Sequence, residues 1–183
     1  MQTRLVRIGL VMAMALGMFG LGAAPAGAAA VQKCGTVTGT ITMSPGLSST
    51  STGNQKVTIA GTEKNCTPGT KTGGSGAYKS VLVLKNANCS VLAQGGITFK
   101  GTATTKWKNG KTTTYSVTYK DGKGSLNAIT TITMTGKATK GLFVGKKFTG
   151  AFKINIQGAN NGACTTTPFK KAPWKQTKAW TLA

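Results

Sequence analysis

The sequence predicts an all-β fold, a single antiparallel domain of about eight strands. An up-and-down barrel is the first expectation and a Greek-key β-sandwich the alternative. Three observations lead there. Apolar and polar residues alternate with a period of two over segment after segment, the mark of strands with one buried face. Glycine (26 residues) and threonine are abundant while proline (5) is scarce, and no stretch repeats its apolar residues with a helical period. The four cysteines fall where strands of alternating direction would end.

Residues 1–30 stand apart. Arg4 and Arg7 give a positive start, Ile8–Leu21 is an apolar run, and small residues follow to Ala30. Both Ala26-Gly27-Ala28 and Ala28-Ala29-Ala30 satisfy the small-x-small rule, so a signal peptide removed near Ala28–Ala30 is expected. The run is short for a membrane span, and no second one follows it. Lys33 before Cys34 argues against a lipoprotein. The remaining residues 31–183 suffice for one domain with a real core, expected to be secreted and without a transmembrane segment after processing.

The strands follow in order. The first, about Cys34–Met43, places Val37, Ile41 and Met43 on one face and threonines on the other. Pro45–Asn54 reads as a loop. Lys56–Glu63 is the second strand, with Val57 and Ile59 inward. After a Gly/Thr/Pro connector, the third strand, Ala77–Lys85, contains Val81-Leu82-Val83-Leu84, an unbroken apolar run that predicts burial on both faces. Strands four and five form the hairpin Ile97–Gly124. A two-residue Asn109-Gly110 turn would put its two apolar sets on opposite faces. A three-residue loop, Lys108-Asn109-Gly110, instead pairs Trp107 with Lys111, Ala103 with Tyr115 and Phe99 with Tyr119, and is preferred. Strand six, Ser125–Ala138, changes parity between Ile129 and the pair Ile132 and Met134, so a bulge is expected near Thr130-Thr131. Gly141–Gly145 is a tight apolar loop. Strand seven, Lys146–Ile156, turns Phe148, Phe152, Ile154 and Ile156 inward. A long loop with Cys164 and Pro168 leads to strand eight, Trp174–Leu182, which alternates Trp174, Trp180 and Leu182 with lysine and threonine.

If every link is a hairpin, Cys34 and Cys66 meet at one end and Cys89 and Cys164 at the other. The pairing Cys34–Cys66 and Cys89–Cys164 follows, each worth roughly 3–5 kcal/mol as an upper estimate. An even strand count also lets the last strand pair antiparallel with the first and remove both edges.

Catalytic chemistry is poorly supplied. There is no histidine, and beyond the first thirty residues the acidic side chains are Glu63 and Asp121. A two-carboxylate glycosidase, a Ser-His-Asp hydrolase and a Cys-His nucleophile each lack a member. A Ser-Lys pair has its residue types but nothing marks a serine. Asp121 is expected to serve its turn by accepting from nearby backbone. Metal sites lack C-x-x-C spacing, histidine and carboxylates, and phosphate loops lack the helix that would follow them. No catalytic residue, metal or cofactor is expected, and the protein is expected not to be an enzyme.

Charge is the distinctive property. The chain has 23 basic residues, of which the two arginines fall in the first thirty; 21 lysines then face two carboxylates, for a formal charge of +19. Parity places Lys100, Lys106, Lys108 and Lys120 on the outer hairpin face, with Lys111 and Lys123 at its ends and Lys137 and Lys153 outward on the next strands. These eight are the candidate anion-binding residues; the alternative is a solubilising surface whose lysines discourage edge pairing. Expected partners are anionic polymers or an anionic membrane surface. Without arginine, lysine acts as a point charge, so sequence-specific nucleic-acid recognition is not expected. Trp107, Tyr115, Tyr119 and Trp180 fall on the inner parity, where they either fill the barrel or line a ligand cavity.

The segments GTVTGTITMSPGL, GLFVGKKFTG and GACTTTP resemble a group of small secreted, β-rich actinobacterial proteins of unknown function. The resemblance implies a secreted β-rich domain and brings no activity or site residues. The expectation for function is a secreted binding or surface-associated protein whose lysine-rich face attaches to anionic polymers of the envelope or extracellular space, cell-wall association included. The alternatives are a small-ligand-binding, calycin-like barrel and an inhibitor or toxin scaffold presenting the loops Pro45–Asn54 and Gly158–Pro173.

Overall fold

In a computed structural model the described residues are 31–49, 52–122, 129–155, 164 and 167–183. The expected signal peptide, Lys123, the first residues of strand six and Ile156 lie outside them. Eight strands run β1 (Gln32–Leu47), β2 (Gly53–Thr67), β3 (Gly76–Ala87), β4 (Thr98–Trp107), β5 (Thr112–Asp121), β6 (Ile129–Gly141), β7 (Lys147–Asn155) and β8 (Phe169–Leu182). Each pairs antiparallel with the next, and β8 pairs antiparallel with β1 through Gln32↔Leu182, Cys34↔Trp180 and Gly39↔Trp174. The sheet therefore closes as an up-and-down barrel, and the sandwich alternative is set aside.

The β4–β5 hairpin has the predicted register. Ala103 faces Tyr115 and Phe99 faces Tyr119. The Trp107 N–H donates to the Lys111 carbonyl (2.8 Å), the Gly110 N–H donates to the Trp107 carbonyl (3.0 Å), and Gly110 sits at φ +83°, a conformation that glycine adopts without strain. Both disulfides form as expected. Cys34 and Cys66 are direct cross-strand partners on β1 and β2, and Cys89–Cys164 ties the opposite end of the barrel.

Large rings fill the barrel where small residues make room. Gly39 and Gly61 face each other across β1 and β2, and a Cβ on either would stand 2.5–2.6 Å from the Trp174 ring. Gly150 makes the same space for Trp180, with 2.6 Å from a Cβ to the ring, and Gly76 does so for Trp107 at 2.8 Å. Tyr78 meets Trp180 edge-on at 4.7 Å, Tyr115 lies 4.9 Å from Phe148, and Trp174 stacks on Trp180 at 5.6 Å. Alternating large and small inward residues is how a barrel of this size packs to native density.

Three expectations are corrected. The run in β3 alternates: Leu82 and Leu84 are buried, but Val81 and Val83 are 41% and 57% exposed. Val81 lies beside Thr58 and Val83 beside Lys56 on the outside, where no second layer covers the sheet. The expected bulge near Thr130-Thr131 is absent, since β6 and β7 stay in register from Ile129↔Asn155 to Lys137↔Lys147. Thr130 takes an inward place and bonds Asp121 there; the β6 irregularity lies at its other end, between Ala138 and Lys140 opposite Tyr115 and Thr114. Helical structure is present in two short pieces, a 3₁₀ turn at Gly69–Lys71 and α1 at Cys89–Gln94. Asn88 caps α1 by accepting from the Val91 N–H (2.8 Å), and Gly95 at φ +67° ends it.

Candidate anion-binding surface and buried polar network

Period-two alternation turns every second residue of each strand outward, and the barrel leaves that outer surface uncovered. Lys100, Lys106, Lys108, Lys111, Lys120, Lys137 and Lys153 are all exposed, as parity requires. They sit on β4 to β7 and the β4–β5 turn, four adjacent strands of eight, so closure wraps them around about half the barrel. They do not form one flat face. Lysines that the expected set omits, such as Lys79 on β3 and Lys171, Lys175 and Lys178 on β8, continue the basic surface around the rest.

Glu63 and Asp121 face the opposite way, at 3% and 4% exposure. Among the described residues, every charged side chain on the outside is a lysine. The two acids lie at opposite ends of the barrel, Glu63 beside the Cys34–Cys66 end and Asp121 at the end of β5. Asp121 does not serve a surface turn: its Oδ1 accepts from Thr130 Oγ1 at 2.6 Å in a buried position. Burial raises its pKa, and the Thr130 bond lowers it in part.

Glu63 belongs to a network inside the barrel. Its Oε1 accepts from Thr105 Oγ1 (2.8 Å) and its Oε2 lies 3.4 Å from Cys34 Sγ. Desolvation pushes its pKa from 4.5 up to about 7, opposed by the Thr105 bond. The Tyr115 hydroxyl is held above the usual phenol range by burial and then by the Glu63 charge. Trp107 Nε1 donates to Thr113 Oγ1 (2.8 Å), and the Tyr78 and Tyr119 hydroxyls bond each other at 2.8 Å. Gln32 Nε2 donates to Thr72 Oγ1 at 3.4 Å. Glu63 also lies with Cys34 and Cys66 close enough to resemble a metal cluster. Both sulfurs are in the disulfide, however, and offer no thiolate.

Trp107, Tyr115, Tyr119 and Trp180 are each no more than 2% exposed. The space among Gln32, Glu63, Trp107, Tyr115 and Trp180 is about 10 Å³, room for one water at most. Around that space Trp107, Tyr115 and Trp180 act as packing and leave no ligand-sized volume.

Sequence reasoning missed the buried polar residues Gln32, Glu63, Thr72, Thr105, Thr113 and Asp121. The signal was present for most. Glu63 shares parity with Val57 and Ile59, Thr105 with Ala103 and Trp107, and Asp121 with Tyr115, Val117 and Tyr119. Comparison with known proteins adds no family: no protein-family model matches the chain, and no curated protein or solved structure matches it. The fold and surface define it as a small, closed, disulfide-linked β-barrel with a lysine exterior.

Proposed function

We propose that the protein is a secreted, non-enzymatic binding or surface-associated protein, held by its lysines to anionic polymers of the cell envelope or extracellular space. One observation carries this: lysines cover the barrel while both carboxylates are folded inside, so no acidic side chain among the described residues neutralises the surface. A polyanion meeting such a surface releases counterions, which makes association strong at low salt and weak at high salt. Two disulfides support an oxidising, extracellular compartment. No helix among the described residues is long and apolar enough to cross a membrane.

A ligand carrier of the calycin type has less support, because packed rings occupy the interior where its cavity would lie. The scaffold reading loses half of its first loop, since Pro45–Leu47 ends β1 and Gly53–Asn54 begins β2, and residues 158–163, 165 and 166 of its second loop lie outside the described residues. The test is retention of residues 31–183 on immobilised teichoic acid, heparin and anionic liposomes under rising salt. Retention on at least one polymer at low ionic strength, eluting as salt rises, is expected; no retention on any refutes the proposal.

A further inference from the structure

The lysines are not placed evenly with respect to one another. Across the ladders of the described residues, almost every lysine stands opposite a neutral residue: Lys64 opposite Thr36, Lys79 opposite Thr104, Lys100 opposite Thr118, Lys106 opposite Thr112. Two pairs break the rule, Lys137↔Lys147 between β6 and β7 and Lys153↔Lys175 between β7 and β8. Directly opposite residues have Cβ atoms about 4.5–5.5 Å apart, and like charges in that position destabilise a sheet. Both pairs involve β7, and no carboxylate side chain is available outside to relieve them.

Building on the function proposed above, we propose that the outer face of β6, β7 and β8 is the seat of a linear polyol-phosphate polymer, with a phosphate bridging each lysine pair. Lys147 and Lys153 are six residues apart on one strand, about 20 Å, so a single extended polymer chain reaches both pairs. Between them the face offers Lys178, opposite Ala151, and the hydroxyls of Thr149 and Thr181, which bond each other at 2.7 Å. Those hydroxyls suit both phosphate oxygens and polyol hydroxyls. The backbone N–H of Lys147 donates to the Ala183 backbone oxygen at 2.8 Å, which holds the β7 start against the end of β8.

The same face suits other polyanions less well. Phe148, Phe152, Trp174 and Trp180 of these strands are buried, so nucleic-acid bases find no ring to stack on. The exposed large apolar side chains among the described residues, Val81, Val83, Val91 and Val144, lie off β6, β7 and β8, so nothing there inserts into a bilayer.

Two charge-matched variants of residues 31–183 test the assignment against poly(glycerol phosphate) at low salt. K137Q/K147Q/K153Q/K175Q removes both pairs. K56Q/K64Q/K79Q/K85Q removes four lysines of β2 and β3, none of them opposite another lysine. The first variant is expected to lose at least tenfold in affinity and to melt higher than wild type without polymer; the second is expected to lose no more than about threefold. Equal losses would overturn the seat while leaving general polyanion binding intact. Wild-type protein that fails to bind the polymer but binds heparin would overturn the polyol-phosphate assignment. Failure to bind any polyanion would overturn the functional reading beneath it. Tighter binding to single-stranded DNA or to anionic vesicles than to the polymer would overturn the choice of occupant.

Discussion

Replacing Glu63 with glutamine should change how the stability of the barrel depends on pH. The carboxyl group accepts one hydrogen bond from Thr105, and burial holds its pKa at about 7 against 4.5 for the free group. Below pH 4.5 the side chain is protonated both folded and unfolded and costs nothing. Between pH 4.5 and 7 the unfolded chain releases its proton while the buried group keeps it, so stability falls as pH rises. Above pH 7 the cost is complete. At 1.36 kcal/mol per pH unit, the rise from 4.5 to about 7 amounts to about 3 kcal/mol. Glutamine keeps an oxygen for Thr105 and cannot ionise. Denaturant unfolding with disulfides intact, from pH 4 to pH 8, should show the wild type losing about 3 kcal/mol. E63Q should lose most of that slope and overtake the wild type at the alkaline end. A residual slope of the same sign belongs to Asp121, whose pKa is also raised by burial. Parallel wild-type and E63Q profiles would refute the buried acid.

Other outcomes follow from the packing and the cross-links. G61A should destabilise by about 1–3 kcal/mol or more in denaturant unfolding, because its Cβ would stand 2.5 Å from the Trp174 ring. W174A should cost about 3–5 kcal/mol by the same measurement, since two glycines cannot fill the space it leaves. Removing a disulfide pair should cost up to about 4 kcal/mol for C34A/C66A, and slightly more for C89A/C164A because its loop spans 75 residues rather than 32. On alkaline titration followed by ultraviolet absorbance, Tyr78, Tyr115 and Tyr119 should stay protonated through pH 10. Burial raises all three, so phenolate should appear together with unfolding.

Most of the fold could be read from residue parity and turn chemistry. The three-residue Lys108-Asn109-Gly110 loop puts Ala103, Tyr115, Phe99 and Tyr119 on one side, which the two-residue turn does not. Strand direction then placed the cysteines at two ends and paired them. The apolar run Val81-Leu82-Val83-Leu84 does not mean two buried faces. Val81 and Val83 alternate outward like any other strand residues, because a barrel has one interior. Parity holds for the acidic residues as well. Glu63 and Asp121 occupy inward positions, and threonine donors inside the barrel allow them to stay there. The short α1 was marked by Asn88 and Gly95, but six residues are too few to show a helical period. The lysine pairs opposite one another could not be seen in sequence, because they depend on the β6–β7 and β7–β8 registers.

The affinity of residues 31–183 for poly(glycerol phosphate), measured as a function of salt, tests the basic exterior most directly. Logarithmic affinity should fall linearly with logarithmic salt concentration, with a slope corresponding to several released counterions. Binding that ignored salt, or no binding at low ionic strength to this polymer, heparin or anionic liposomes, would contradict a charge-driven exterior.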